Sequence, residues 1–147
     1  EYELAQWNEV LNINTTSAFL LFKHLMNRTG RLKKFIVLSS QMAHRAHLGA
    51  SPSYEASKAA LNALCRHLAV EFAPSGTTVN MISPGTFETP LSKTMDERYL
   101  KSLREQIPLG RMGRPMELGA AVNFLLSEAS DYITGNELLM TGGSLVH

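Results

Sequence analysis

Apolar positions recur with a helical period over the first part of the chain. Leu4, Trp7, Val10, Leu11, Phe19, Phe22, Leu25 and Met26 follow a spacing near 3.6, which predicts a helix over 4–27 that ends at Thr29 and Gly30. Weak helix formers from Asn12 to Ser17 interrupt it, so a kink or a functional residue is expected there. The continuous apolar run Phe35-Ile36-Val37-Leu38 has the character of a strand covered on both faces. The polar segment from Ser39 to Ser53 reads as a loop, long enough that its length itself hints at function. A second helix is expected from about Tyr54 to Ala73, closed by Pro74 and Gly76. Its apolar residues wrap most of its circumference, as in a helix buried on two sides, one against a sheet and the other against a second subunit. Val79 to Ile82 reads as a strand ending at Ser83-Pro84-Gly85, and Asp96 to Gln106 as a short exposed helix. Pro115 suits the first turn of a helix running to about Ser127, and Leu138 to Met140 form a last strand stopped by Gly142-Gly143. The order α, β, α, β, α, α, β, without repeats or a low-complexity linker, predicts part of an open, mostly parallel α/β sheet.

Composition narrows the classes of function. With 147 residues, 44% apolar, 18% charged and a formal net charge of +1, the chain offers no electrostatic argument for nucleic acid or membrane partners. No apolar run approaches the length of a membrane span. The single cysteine, Cys65, excludes an internal disulfide and fits a reducing compartment, so a cytoplasmic location is expected. The chain has no initiator methionine and opens inside a helical pattern, which leads us to expect a fragment of a longer protein.

The chemistry concentrates around YEASK. Tyr54 and Lys58 stand at i and i+4, on one face of a helix, so the ammonium can approach the phenol oxygen. A lysine ammonium beside a phenol favours the phenolate, giving a tyrosine that can serve as general acid for ketone reduction or as base for alcohol oxidation. A hydroxyl nearby would hold the substrate oxygen, and Ser40, at the end of a strand, is placed to supply it. With four tyrosines in the chain, the spacing is weak by itself, and its setting carries the weight. The pair opens a helix, follows a strand ending in Ser39-Ser40, and precedes a strand ending in Pro-Gly.

Together these segments resemble the short-chain dehydrogenase/reductase family, over nearly the whole chain. WNEVLNIN is similar to the family's W-x-x-V-x-x-x-N helix, which makes Asn14 the fourth catalytic residue, supporting a water-linked proton relay to Lys58. FIVLSSQMAH resembles the strand ending in the catalytic serine. Ser40 is preferred to the neighbouring Ser39, with a loop to the tyrosine a single residue longer than the family's. VNMISPGTFETPL resembles the V-N-x-I-x-P-G-x-x-x-T segment. The resemblance implies that Pro84 and Gly85 line the nicotinamide, while the Phe87 backbone and the Thr89 hydroxyl contact its carboxamide. Tyr54 and Lys58 would complete the cofactor contacts, with Lys58 on the nicotinamide ribose. The end of the chain is similar to the family's C-terminal helix and last strand, except that Thr141 stands where the family usually has an aspartate before Gly-Gly.

The other polar constellations carry less. His44 and His47 have no further placed ligand, so no metal is expected. Cys65 falls within an apolar helix and is expected to pack, and Arg111 and Arg114 suit a solvated turn. The walls of a substrate pocket would come from the Gln41–Ser53 loop and the Leu91–Ile107 segment.

The ten glycines contain no G-x-G pair, so the glycine-rich loop that binds a dinucleotide pyrophosphate does not occur in these residues. The expected fold is therefore α/β, a partial Rossmann-like doubly wound parallel sheet holding the last three strands and their helices. Residues 1–147 would form a single unit, the C-terminal catalytic half, without the N-terminal nucleotide-binding half. The strand Phe35 to Ser40 would then have an unpaired apolar edge, which predicts aggregation or dependence on another chain. The expected activity is hydride transfer between NAD or NADP and a small carbonyl or secondary alcohol. The expected assembly is a homodimer or homotetramer through helices 4–27 and 54–73. The alternative is a non-catalytic, truncated dimerisation module.

Overall fold

The computed structural model describes residues 3–47, 50–90 and 92–146. Three parallel strands, β1 (Lys34–Leu38), β2 (Thr78–Pro84) and β3 (Glu137–Met140), form one sheet in the order β1-β2-β3. Lys34 pairs with Thr78 and Leu38 with Ile82, and Met81 pairs with Glu137 and Pro84 with Met140. The helices are α1 (Leu4–Leu11), α2 (Ser17–Thr29), α3 (Pro52–Phe72), α4 (Glu97–Glu105) and α5 (Pro115–Leu126). The element order agrees with the sequence pattern.

The expected interruption between Asn12 and Ser17 is a single π-helical turn, Asn12–Thr16, joining α1 to α2 without a break in the chain's direction of winding. Such turns insert one extra residue and turn a side chain out of the regular helical array. Gly30, at φ 66°, caps α2, and its N–H reaches the Met26 carbonyl. α3 begins at Pro52, two residues before Tyr54, because proline suits the first helical turn.

Alternation along β2 divides the core. Val79 and Met81 face α3 and pack with Val37, Leu61, Cys65, Leu68, Ala69 and Phe22. Phe22 bridges the layers edge-on, its ring 5.1 Å from that of Phe35 and 4.9 Å from that of Phe72. Asn80 and Ile82 point the other way, toward α5 and the segment after it. Asn80 is 1% exposed, and its amide donates to the Ile133 carbonyl and accepts from the Asn136 N–H, latching β2 to the approach of β3. Burial pushes the Cys65 thiol up to about 12, in keeping with a packing role.

α3 is covered on one face only. Its buried residues are Ser53, Ser57, Leu61, Asn62, Cys65, Leu68 and Ala69, whereas Ala59, Ala60, Ala63 and Val70 are exposed. The outer edge of β1 pairs with no other strand among the described residues, and Leu38 at its end is 47% exposed. Among the described residues no helix is long and apolar enough to cross a membrane.

Candidate active site

Parallel strands that run the same way end together, and their C-terminal ends form the crevice where open α/β sheets hold ligands. Here that edge gathers Ser39 and Ser40 after β1, Pro84 and Gly85 at the end of β2, and Thr141 to Gly143 after β3.

Both serines are buried, but their hydroxyls differ. The Ser39 N–H extends the ladder to the Ile82 carbonyl at 2.7 Å, and its buried Oγ has no partner. The Ser40 backbone is extended, and its Oγ accepts from the Met42 N–H at 3.2 Å, capping the short turn Gln41–Ala43. A hydroxyl that accepts in this way still has its own hydrogen to donate.

Tyr54 and Lys58 occupy successive turns of α3. The Lys58 ammonium lies 5.7 Å from the centre of the Tyr54 ring and donates to the Leu38 carbonyl at 2.9 Å, so one side chain joins the helix to the end of β1. Partial burial lowers the Lys58 pKa from its ordinary value. The π-helical turn meets the same stretch of α3. Asn14 Nδ2 donates to Ser57 Oγ at 3.0 Å, Thr15 Oγ1 donates to the Ser57 carbonyl at 2.8 Å, and Ser57 Oγ donates to the Tyr54 carbonyl. Asn14 is thereby fixed beside the Tyr54–Lys58 turn, and its side-chain bond goes to Ser57 rather than to Lys58.

The segment after β2 is strapped in place. The Gly85 N–H donates to the Met140 carbonyl at 2.9 Å. A Cβ on Gly85 would lie 3.0 Å from Thr141 Cα and 3.2 Å from Gln41 Oε1, so the close approach served by this glycine is to the end of β3. Phe87 forms a parallel bridge with Gly113. The Gly113 N–H donates to the Thr86 carbonyl and the Glu88 N–H to the Gly113 carbonyl, while the N–H and C=O of Phe87 take no part. Thr89 Oγ1 accepts from the Ser92 N–H at 3.3 Å, closing a local turn. Thr141, at the position of the family's aspartate, uses its hydroxyl to close the final turn onto the Leu145 carbonyl.

Two cavities flank Phe87. One, of about 230 Å³, is walled by the loop after Ser40 on one side and by residues from Ser92 to Ile107 on the other. These are the two segments expected to form a substrate pocket, although Leu48, Gly49 and Leu91 lie outside the described residues. The other, of about 280 Å³, lies against Leu139 to Gly142 and is edged by Arg111 and Glu117. Those two side chains form a bidentate pair at 2.7 and 2.9 Å. That pairing, with the Arg114 N–H, holds the Glu117 carboxyl at about 2. Arg111 is thus committed to Glu117, and its turn is structural.

One group of residues under the site went unnoticed in the sequence. Glu137 Oε1 accepts from Ser83 Oγ and from Asn62 Nδ2 at 2.9 Å, and lies 2.6 Å from His44 Nε2. This cluster ties together β3, β2, α3 and the loop after Ser40. The signals were a polar Asn62 inside an apolar helix and a charged residue opening the last strand. Burial alone would raise the Glu137 carboxyl. The hydrogen bonds from Ser83 and His44, the charge of His44 and the bond from Asn62 together bring it below its usual value. A carboxylate lowered by folding contributes stability that is complete above its unfolded pKa, about 4.3, and is lost as the pH falls through the folded value. The full-length protein is therefore expected to lose urea resistance on acidification below about pH 4 more steeply than its Glu137→Gln variant. Parallel losses in the two proteins would show that the cluster has no such role.

Comparison with known proteins defines the class. The family model described as enoyl-(acyl carrier protein) reductase matches residues 1–144, and the chain belongs to this branch of the short-chain dehydrogenase/reductase family. A 3-oxoacyl-[acyl-carrier-protein] reductase of Aquifex aeolicus is 37% identical over 145 residues, covering 95% of this chain and 57% of its own length. An acetoacetyl-CoA reductase of Acinetobacter is 35% identical over 144 residues, covering 97% of this chain and 58% of its own. The crystal structure of a 3-oxoacyl-[acyl-carrier protein] reductase from Brucella melitensis superposes with a TM-score of 0.93 at 25% identity, covering 99% of this chain and 56% of that one. A putative 2-deoxy-d-gluconate 3-dehydrogenase from Agrobacterium tumefaciens, solved with bound NADP, gives a TM-score of 0.87 at 32% identity, covering 100% of this chain and 61% of that one. The fold is thus a partial Rossmann-like, doubly wound parallel sheet, and the chain spans just over half the length of the relatives it matches.

Proposed function

We propose that this chain is the C-terminal catalytic half of an NAD(P)-dependent oxidoreductase acting on a small carbonyl compound or secondary alcohol. The observation that carries this reading is the Lys58 side chain, which lies close to the Tyr54 ring and is anchored on the Leu38 carbonyl, next to the strand end that presents Ser40. Tyr54 transfers the proton to or from the substrate oxygen, as general acid in reduction and base in oxidation. Ser40 donates its free hydroxyl hydrogen to the same oxygen and orients it. Lys58 supplies positive charge beside the phenol and holds the nicotinamide ribose. Asn14, fixed to α3 through Ser57, anchors the proton relay that leads to Lys58.

The segment from Pro84 to Thr89 suits a nicotinamide. Pro84 and Gly85 would line its ring. The Phe87 N–H and C=O, left unpaired by the Gly113 bridge, match the carbonyl and amino groups of a carboxamide, and the Thr89 hydroxyl retains a hydrogen to donate. When bound, the nicotinamide supplies or accepts the hydride. The adenosine and pyrophosphate would be held by a nucleotide half preceding residue 1, because the ten glycines here contain no G-x-G pair. That half would also choose between NAD and NADP.

Assembly belongs to the same reading. Exposed apolar side chains on α1–α2, including Ile13, Phe19 and Leu20, and the uncovered small face of α3 support pairing of these helices with a second copy, in a homodimer or homotetramer. A reduced, buried Cys65 suits a cytoplasmic location. The same exposed faces also favour a second reading, a non-catalytic dimerisation module. The two separate cleanly: the enzyme consumes NADH or NADPH with a ketone panel and yields one alcohol per cofactor, whereas the module associates with a partner and consumes none.

A further inference from the structure

The smaller cavity, between the loop after Ser40 and α4, has an unbalanced charge. Among the described residues its lining contains no carboxylate, yet it contains Arg45, together with His47. Arg45 is half-buried and fixed in place: Nη1 donates to the Ser144 carbonyl at 2.8 Å, and Ser144 Oγ in turn donates to Gln41 Oε1 at 2.9 Å. Its Nε is buried without a hydrogen-bond partner, and no carboxylate pairs with the guanidinium among the described residues. Glu55, at the start of α3, accepts from the His47 backbone N–H at 2.8 Å. A partly desolvated guanidinium is costly unless an anion meets it. Its fork of donors matches a carboxylate in bidentate fashion. The remaining wall is largely apolar, with Met42, Phe87, Met95 and Leu103.

We propose that Arg45 is the specificity-determining residue of the pocket and selects carbonyl substrates that carry their own carboxylate, small oxo acids with a short aliphatic body. The inference rests on the oxidoreductase reading above, which puts the reacting carbonyl at Ser40 and Tyr54, with Gln41 and Met42, which follow Ser40, and Phe87 and Thr89 lining the cavity.

The test compares acetoacetate and levulinate with their neutral methyl esters as substrates of the full-length protein, with NADH or NADPH. The wild type is expected to favour the acids by about 10- to 100-fold in kcat/KM, mainly through KM, as one charge-assisted pairing provides. That acid-to-ester ratio should collapse toward unity in Arg45→Met and recover in part in Arg45→Lys. Because the ratio is taken within each variant, a general loss of activity does not imitate the effect. Should Arg45→Met fail to fold, the wild type still decides: hexanoate should inhibit ester reduction competitively, and hexanol should not. Esters or acetoacetyl-CoA reduced as well as the acids, or a ratio unchanged in Arg45→Met, would overturn the inference while leaving the oxidoreductase reading intact. Absence of any carbonyl reduction would overturn both.

Discussion

Tyr54→Phe, made in the full-length protein, is expected to lower kcat for carbonyl reduction by about 10²- to 10⁴-fold, the range that a positioned proton donor contributes. The substitution removes one oxygen and keeps the ring against Lys58, so the packing at the start of α3 is preserved. The loss should fall on kcat far more than on NAD(P)H affinity, because the Pro84–Thr89 segment and Lys58 are untouched. Steady-state kinetics with a parallel cofactor titration separates the two. A variant retaining more than half of the wild-type kcat would remove Tyr54 from the reaction.

The second large effect is on stability. Asn80→Ala is expected to destabilise the full-length protein by about 2–5 kcal/mol, measured by urea unfolding. Both ends of the Asn80 amide are used on buried backbone, the Ile133 carbonyl at 2.7 Å and the Asn136 N–H at 3.1 Å. Truncation leaves both groups without a partner, at about 1–3 kcal/mol each, and leaves a void that water cannot readily reach in a residue 1% exposed. A loss below about 1 kcal/mol would mean that the latch is redundant.

Much of this architecture was legible in the chain because its elements have distinct periods. The apolar run of β1 and the 3.6-residue spacing of α2 and α3 depend on local pattern, and the structure follows them to within a few residues. The kink at Asn12 was also visible, as a cluster of polar and β-branched residues, although its form as a π-helical turn was not. The candidate site was legible for a different reason: Tyr54 and Lys58 are close in sequence, and short spacing on a helix fixes a shared face.

What escaped notice depends on contacts between distant segments. Glu137 meets Asn62 and His44 across separations of 75 and 93 residues, and no local pattern encodes such a meeting. The close approach of Gly85 to Thr141 at the end of β3 likewise joins segments far apart in the chain. The setting of Arg45 also depends on distant segments, since its side chain meets Ser144 across 99 residues. The burial of α3 within the chain was legible in its apolar residues, and the face expected to meet a second subunit is exposed in this chain.

The most direct measurement follows deuterium from NAD(P)H labelled at the hydride-donating carbon of the nicotinamide, with the full-length protein and a ketone. The label is expected on the carbinol carbon of the alcohol, with the hydroxyl hydrogen coming from solvent. Transfer is expected to slow in Tyr54→Phe by the same factor as kcat. Alcohol formed without the label, or label transferred at the wild-type rate in Tyr54→Phe, would contradict the proposed mechanism.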